Sequence, residues 1–427
     1  MLTTEIGAFE AAREALARER LEELQALART YRNWTVKELA HALGRQPGRL
    51  VPESGMPKID LVVGLAKALD WPVEAVVDHL MKPPAGPRKV VHPKDTAADY
   101  ARLYNESAAK RLERDYFEAI RLAVRAGVVA DTGNRRAGAL VLESEAHEST
   151  GSYVEAVRCL REAIRMEGIA IEWRIYCDSK LGNLLFMQGL TTQSLGIASS
   201  VLEYAQNLPS SLLVRTSQML GHWTRGHVLR SAVPLRHTES WRSLAASARE
   251  DFCKVKSLCM ALVVETDGNP LYFGSFSGVI DPMLLELDAI CDEEQAEFAV
   301  QALLAILREG GSADSGIGER KAWAAVAVAN TVRRVVPDEM QRRGILDVAS
   351  AALRAHAVAT SNWYFAHKHL ELDAERRRNL VGHGTASRAL DALEAKLVAG
   401  VLGQVPAARE HAAEFFALYG SGEGVRA

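Results

Sequence analysis

Apolar side chains recur at three- and four-residue steps almost without a break from residue 94 onward, which predicts an all-α body. Ahead of it, residues 5–31 read as a charged amphipathic helix whose later part carries Leu21, Leu24, Leu27 and Ala28 on one stripe. Between Trp34 and Gly44, Thr35 and Glu38 have the spacing of a capping box, in which hydroxyl and carboxylate satisfy the free amides at a helix start. Leu39, Ala40 and Leu43 then form an apolar stripe, and Gly44 stands where the helix must stop and turn. Two more helical runs follow, over 60–69 and 71–77. The segment before them is Arg45-Gln46-Pro47-Gly48-Arg49-Leu50-Val51-Pro52. Pro47 suits a first helical turn, whereas a proline inside a helix costs about 3 kcal/mol. A short turn ending before Pro52 is therefore predicted.

The body carries an internal repeat. Asp115-Tyr116-Phe117-Glu118-Ala119-Ile120 lines up with Ser152-Tyr153-Val154-Glu155-Ala156-Val157 at an offset of 37, and the second copy follows Gly151 and continues with Leu160 and Ala163. A weaker copy runs through Leu181-Gly182-Asn183, Gly189, Ser194 and Ala198, and another through Gly403, Ala408, Ala412 and Phe415. Small residues let paired helices approach closely, and large ones fill the gap to the next pair. Over 210–400 the register weakens, and a generic helical bundle would give the same fold class.

Two resemblances follow from these residues. The order of elements across residues 21–80 resembles the five-helix helix-turn-helix domain of repressor and Cro type (XRE). The glycine, aromatic, alanine and large apolar positions of the repeat resemble the second helix of a tetratricopeptide repeat, although the period of 37 is longer than that family's usual ~34. Together they imply an N-terminal helix-turn-helix domain (1–81), a linker (82–94) and a tetratricopeptide-like α-solenoid of helical hairpins (95–427), the organisation of peptide-responsive bacterial regulators. The first resemblance implies that Arg45, Gln46 and Arg49 approach base edges of double-stranded DNA while Thr35, Lys37 and Lys58 contact phosphates. It also implies a homodimer. The second implies a groove in which Asn183, sharing a helix face with Tyr176, Ser179 and Met187, binds the backbone of a peptide or protein partner. Tyr272, Phe273 and Phe276, in the loop-like run Gly268 to Gly278, are further expected ligand contacts.

Charge sharpens this picture. The net charge of −3 and pI near 6.5 exclude a uniformly basic nucleic-acid binder. Yet residues 29–58 hold six basic side chains against two acidic ones, a local basic patch. Eight of the fourteen prolines fall within residues 1–93, and Lys82 to Pro93 reads as a stiff extended spacer. Five scattered cysteines without paired spacing predict reduced thiols in a cytoplasmic protein. No apolar run reaches membrane-spanning length, and the acidic N-terminus is unlike a signal peptide.

No acid–base set, nucleophile or phosphate loop stands out, so neither an enzyme nor a cofactor is expected. His367 with His369 and His222 with His227 are wrongly spaced for helical zinc ligands, and no metal site is expected. The reading favoured is a DNA-binding regulator with a sensing repeat domain. The alternative is a protein-interaction scaffold whose helix-turn-helix module no longer reads DNA.

Overall fold

The computed structural model describes residues 34–52 and 57–69 with scattered positions of 17–32 and 73–80, then 96–233, 241–265, 274–382 and 392–411. The described residues are helical, without strand, and contain no helix long and apolar enough to cross a membrane. The chain forms two compact units, Met1–Lys89 and Val90–Ala427. The spacer expected over 82–94 lies outside the described residues.

In the first unit, helix α1 (Val36–Ala42) opens on the capping box expected from sequence. The Glu38 amide donates to Thr35 Oγ1 (3.3 Å), and the Thr35 amide donates to Glu38 Oε2 (2.7 Å). The helix ends at Gly44, whose φ of 64° is left-handed and costs glycine little. The Gly44 and Arg45 amides reach back to the carbonyls of His41 (3.0 Å) and Ala40 (2.8 Å), closing the helix end. Next comes a single 3-10 turn, Pro47–Arg49, with Pro47 in its first turn, and then α2 (Ile59–Leu69). The helical part of residues 45–52 is thus three residues of tight turn rather than a multi-turn helix.

Leu39, Leu50, Leu61, Leu65 and Leu69 bury into one cluster with Leu21, Leu24, Ala28, Val76 and Leu80. A Cβ on Gly64 would lie 2.8 Å from Leu43 Cδ2, so the Leu43 side chain at the end of α1 packs directly on the α2 backbone. Arg32 Nε donates to the Ala68 carbonyl (2.8 Å), which satisfies an otherwise open helix end.

The second unit is a succession of helical hairpins: α3 (Thr96–Leu112) with α4 (Tyr116–Val129), α5 (Gly133–Ser149) with α6 (Tyr153–Ile164), α7 (Ile171–Met187) with α8 (Thr191–Gln206), and α9 (Leu212–Ala232) with α10 (Trp241–Glu265). Each of these helices packs on its successor. The first three hairpins repeat one crossing. Ser107 Oγ donates to the Ala119 carbonyl (2.8 Å), Ser144 Oγ to Ala156 (3.0 Å) and Ser194 Oγ to Gly182 (2.8 Å). Ser107 and Ser144 lie 37 residues apart, as do Ala119 and Ala156. Small residues at these crossings let the hydroxyl reach the facing backbone.

The later helices are α11 (Gly274–Cys291), α12 (Ala296–Arg308), α13 (Gly316–Val335), α14 (Glu339–Thr360), α15 (Trp363–Gly382) and α16 (Ala392–Gln404), followed by a 3-10 segment, Pro406–His411. The copy expected near the end differs from this: Gly403 is inside α16 and Ala408 in the 3-10 segment, so neither marks a repeat turn, while Ala412 and Phe415 lie outside the described residues.

The later helices return to the early repeats. Trp363 Nε1 donates to the Gly151 carbonyl (2.9 Å), the Tyr153 hydroxyl to Asn362 Oδ1 (3.2 Å), and the Val154 amide to Gln404 Oε1 (3.4 Å). Arg114 pairs with Asp314. One apolar core accordingly extends from Ala137 to Ala408.

Candidate nucleic-acid interface and ligand groove

The six residues expected at DNA sit on three neighbouring pieces of the first unit: Thr35 and Lys37 at the start of α1, Arg45, Gln46 and Arg49 on the turn after it, and Lys58 just before α2. Lys37, Gln46, Arg49 and Lys58 are exposed. Thr35 is exposed too, but its hydroxyl already serves the capping box, accepting from the Glu38 amide and donating to Glu38 Oε2 (2.8 Å). Those hydrogen bonds, the backbone one first, hold the Glu38 carboxyl below its ordinary range.

Arg45 is placed differently from the expectation of a free base-reading side chain. Its Nη2 donates to Asp60 Oδ2 at 2.7 Å, with the arginine side chain 22% exposed. It ties the turn to the first residues of α2. Among the described residues of this segment, Gln46 and Arg49 are the uncommitted polar side chains of the turn.

In the second unit, Tyr176, Ser179, Asn183 and Met187 all lie on α7, but they do not share one open face. Ser179 and Met187 are buried, and Ser179 Oγ donates to the Tyr176 carbonyl (2.7 Å). The cause is that α7 packs on α8 and α9 as well as on α5 and α6, leaving only a narrow accessible strip. Tyr176 and Asn183 are half-buried on that strip, and Asn183 has no hydrogen-bond partner among the described residues. Burial pushes the Tyr176 hydroxyl up to about 12. Its ring meets Trp173 edge-on at 6.0 Å, with Lys180 Nζ above it at 6.0 Å.

A charge ladder that sequence reasoning missed runs beside this strip. Glu145 on α5 binds Lys180 on α7 (2.6 Å) and Arg111 on α3 (3.4 Å). Burial alone would lower the Lys180 ammonium, but Glu145 more than offsets it and holds the charge firmly. Nearby Glu148, and Glu319 on α13, are pushed above the ordinary carboxylate range by burial. The sequence trace that could have revealed the ladder is the run of alternating charge at Arg111, Glu145 and Lys180, on the first helices of three successive hairpins.

Beyond the strip, aromatic side chains close the interior. Phe186 stacks on His227 (5.1 Å) and tilts against Tyr364 (5.2 Å), while Trp223 meets Trp323 edge-on (5.7 Å). Phe186 on α7 is thus packed against side chains of α9 and α15 of the same chain.

Of the other expected ligand contacts, Phe276 falls in the first turn of α11 rather than in a loop, and Tyr272 and Phe273 lie outside the described residues. A separate cleft of about 950 Å³ opens beside α6, where Arg136, Arg161 and Arg165 surround an apolar floor that includes Val157, Leu185 and Leu190. Its rim also carries Glu155 and Glu162, both paired with Arg158.

No family model and no curated protein matches this sequence. Among solved structures, the chain is similar to that of Bacillus thuringiensis PlcR, crystallised in complex with the peptide PapR7 and DNA, at 12% identity and a TM-score of 0.35, over 66% of this chain and 92% of that chain.

Proposed function

We propose that the chain is a DNA-binding transcription regulator whose helical repeat domain senses a peptide, a small ligand or a protein partner. The observation that carries the reading is the first unit's surface. A capped helix, a tight turn and a second helix bring Lys37, Gln46, Arg49 and Lys58 into solvent on adjacent elements. Arg49 and Gln46 read base edges, Lys37 and Lys58 hold phosphates, and Arg45 acts by fixing the turn through Asp60. A dimer supplies the second half-site that so short a reading turn needs. On the sensing side, the unpartnered Asn183 beside Tyr176 offers one amide that both donates and accepts.

The test is selection of randomised duplex DNA by the purified full-length protein, with sequencing, at two salt concentrations. A two-fold-symmetric motif whose enrichment falls steeply with salt is expected. Replacing both Arg45 and Arg49 with alanine should abolish sequence preference, and Lys58→Ala should weaken binding evenly across sequences. A second reading, a protein-interaction scaffold, is favoured by the three-residue turn that stands in place of a recognition helix. Absence of enrichment even at low salt would select it.

A further inference from the structure

Where the last turns of α5 cross the middle of α6, three ligating side chains meet that belong neither to the DNA-facing surface nor to the α7 strip. Glu143 and His147 stand one turn apart on α5, and Cys159 faces them from α6. We propose that Glu143, His147 and Cys159 bind a zinc-like divalent metal ion. One ligand atom from each lies within 4.8 Å of the others, and among the described residues no other trio of ligating side chains converges in this way. His147 Nε2 and Glu143 Oε1 are 3.9 Å apart, so small side-chain rotations bring the set to tetrahedral ligand spacing.

The burial is that of an interior site with an entrance. Cys159 is fully buried and the Glu143 side chain is 8% exposed, while His147, at 16%, gives access from solvent. Sulfur, imidazole nitrogen and carboxylate oxygen are the donors zinc accepts, and three protein ligands leave one position for water. A thiolate in the set disfavours magnesium and calcium.

The neighbouring repeat shows that packing alone does not call for these residues. One repeat onward, in the register that sets the Gly182–Ser194 crossing over that of Ser144 and Ala156, the equivalent positions hold Leu181, Leu185 and Ile197, all apolar. One repeat earlier they hold Glu106, Lys110 and Leu122, which is no ligand set.

A cation already stands at this spot. Arg158 Nη2 lies 3.4 Å from Glu143 Oε1 and 3.6 Å from Cys159 Sγ. The guanidinium is 47% exposed and also touches Glu155 (2.7 Å) and Glu162 (3.4 Å), so it has partners to keep when a dication takes its place. Like any ordinary cysteine, Cys159 carries a thiol proton at neutral pH. Binding then forms a metal–sulfur bond and releases that proton to solvent, one per metal.

The decisive experiment is titration of chelator-treated full-length protein with cobalt(II), read by absorption, followed by displacement with zinc. One cobalt per chain is expected, with a near-ultraviolet thiolate charge-transfer band and the visible bands of four-coordinate cobalt. Cys159→Ser should remove the charge-transfer band, and His147→Ala should weaken binding by about a hundredfold, since loss of even an outer partner costs 10–100-fold. Arg158→Gln should tighten it. Circular dichroism checks each fold, and the near-isosteric Glu143→Gln, expected to weaken cobalt binding, replaces any variant that fails to fold. No charge-transfer band in the wild type, or a band that survives in Cys159→Ser, overturns the site.

Discussion

His227 shows how one side chain can make stability depend on pH. It is fully buried, with Trp223 at 4.2 Å, Trp323 at 4.4 Å and Phe252 at 5.0 Å, and neither ring nitrogen has a hydrogen-bond partner. Burial first, and the Arg230 charge second, hold its pKa well below the ordinary 6.5. The folded ring therefore stays neutral where the unfolded one takes a proton, so stability is lost as pH falls below 6.5. One proton contributes about 1.4 kcal/mol per pH unit, or roughly 2 kcal/mol between pH 6.5 and 5. His227→Leu should flatten the urea-unfolding stability curve over that range by about this amount. Some slope remains, because burial also lowers His356 and His369. Parallel curves for the two proteins would contradict a neutral ring. From sequence, His227 could be judged structural rather than metal-binding by its spacing from His222, but its aromatic box could not be foreseen. Those rings come from α9, α10 and α13, separated by tens of residues.

At the scale of elements, α9, α11 and α13 meet around charge rather than around apolar packing alone. Glu286 is fully buried between Arg230 (3.6 Å) and Arg334 (3.8 Å) and accepts a hydrogen bond from Asn330 Nδ2 (2.9 Å). Burial pushes its carboxyl upward and pulls the Arg334 guanidinium down, so the attraction between these groups offsets only part of the cost of burying them. Glu286→Ala leaves two buried guanidiniums facing one another and should cost about 3–5 kcal/mol, read as a large drop in the thermal midpoint. Replacing Arg230, Glu286 and Arg334 together with apolar residues of similar volume should recover much of that loss.

These helices also mark how far the sequence could be read. The capping box at Thr35, the stop at Gly44 and the 37-residue offset are local or periodic, so they were legible residue by residue. Repeats in α9 and α10 were not, because these helices lengthen to 21 and 25 residues and carry the period away from its starting value. The α7 face was misjudged at Ser179 and Met187 because periodicity gives an angle around a helix, not the number of neighbours packed on it. Glu143, His147 and Cys159 escaped notice for a related reason: the third ligand comes from a different helix, where no spacing rule applies.

At the scale of the repeat unit, the contacts between distant repeats decide how it unfolds. A solenoid whose hairpins touch only their neighbours can open from an end, repeat by repeat. Here the α5–α6 turn is held by the α14–α15 turn. Gly151 adopts φ 75°, its carbonyl accepts from Trp363 Nε1, and a Cβ there would collide with Ser361 and the Trp363 ring. Trp363 also lies so close to Gly400 that α16 has no room for a side chain at that point. Opening α15 therefore removes a lock from α6, although more than two hundred residues separate Gly151 from Trp363. Trp363→Ala should cost about 3 kcal/mol. Native-state hydrogen exchange should show amides of α6 and α15 losing protection by the same free energy, as one cooperative unit. Loss confined to α15 and α16 would mean that the hairpins unzip independently and that the distant contacts only decorate the array. Gly151→Ala approaches the same lock from the other side, since the left-handed conformation alone costs about 1–2 kcal/mol for a residue with a Cβ. If closure governs cooperativity, this substitution in the α5–α6 turn must loosen α15, a helix with which it shares no sequence neighbourhood.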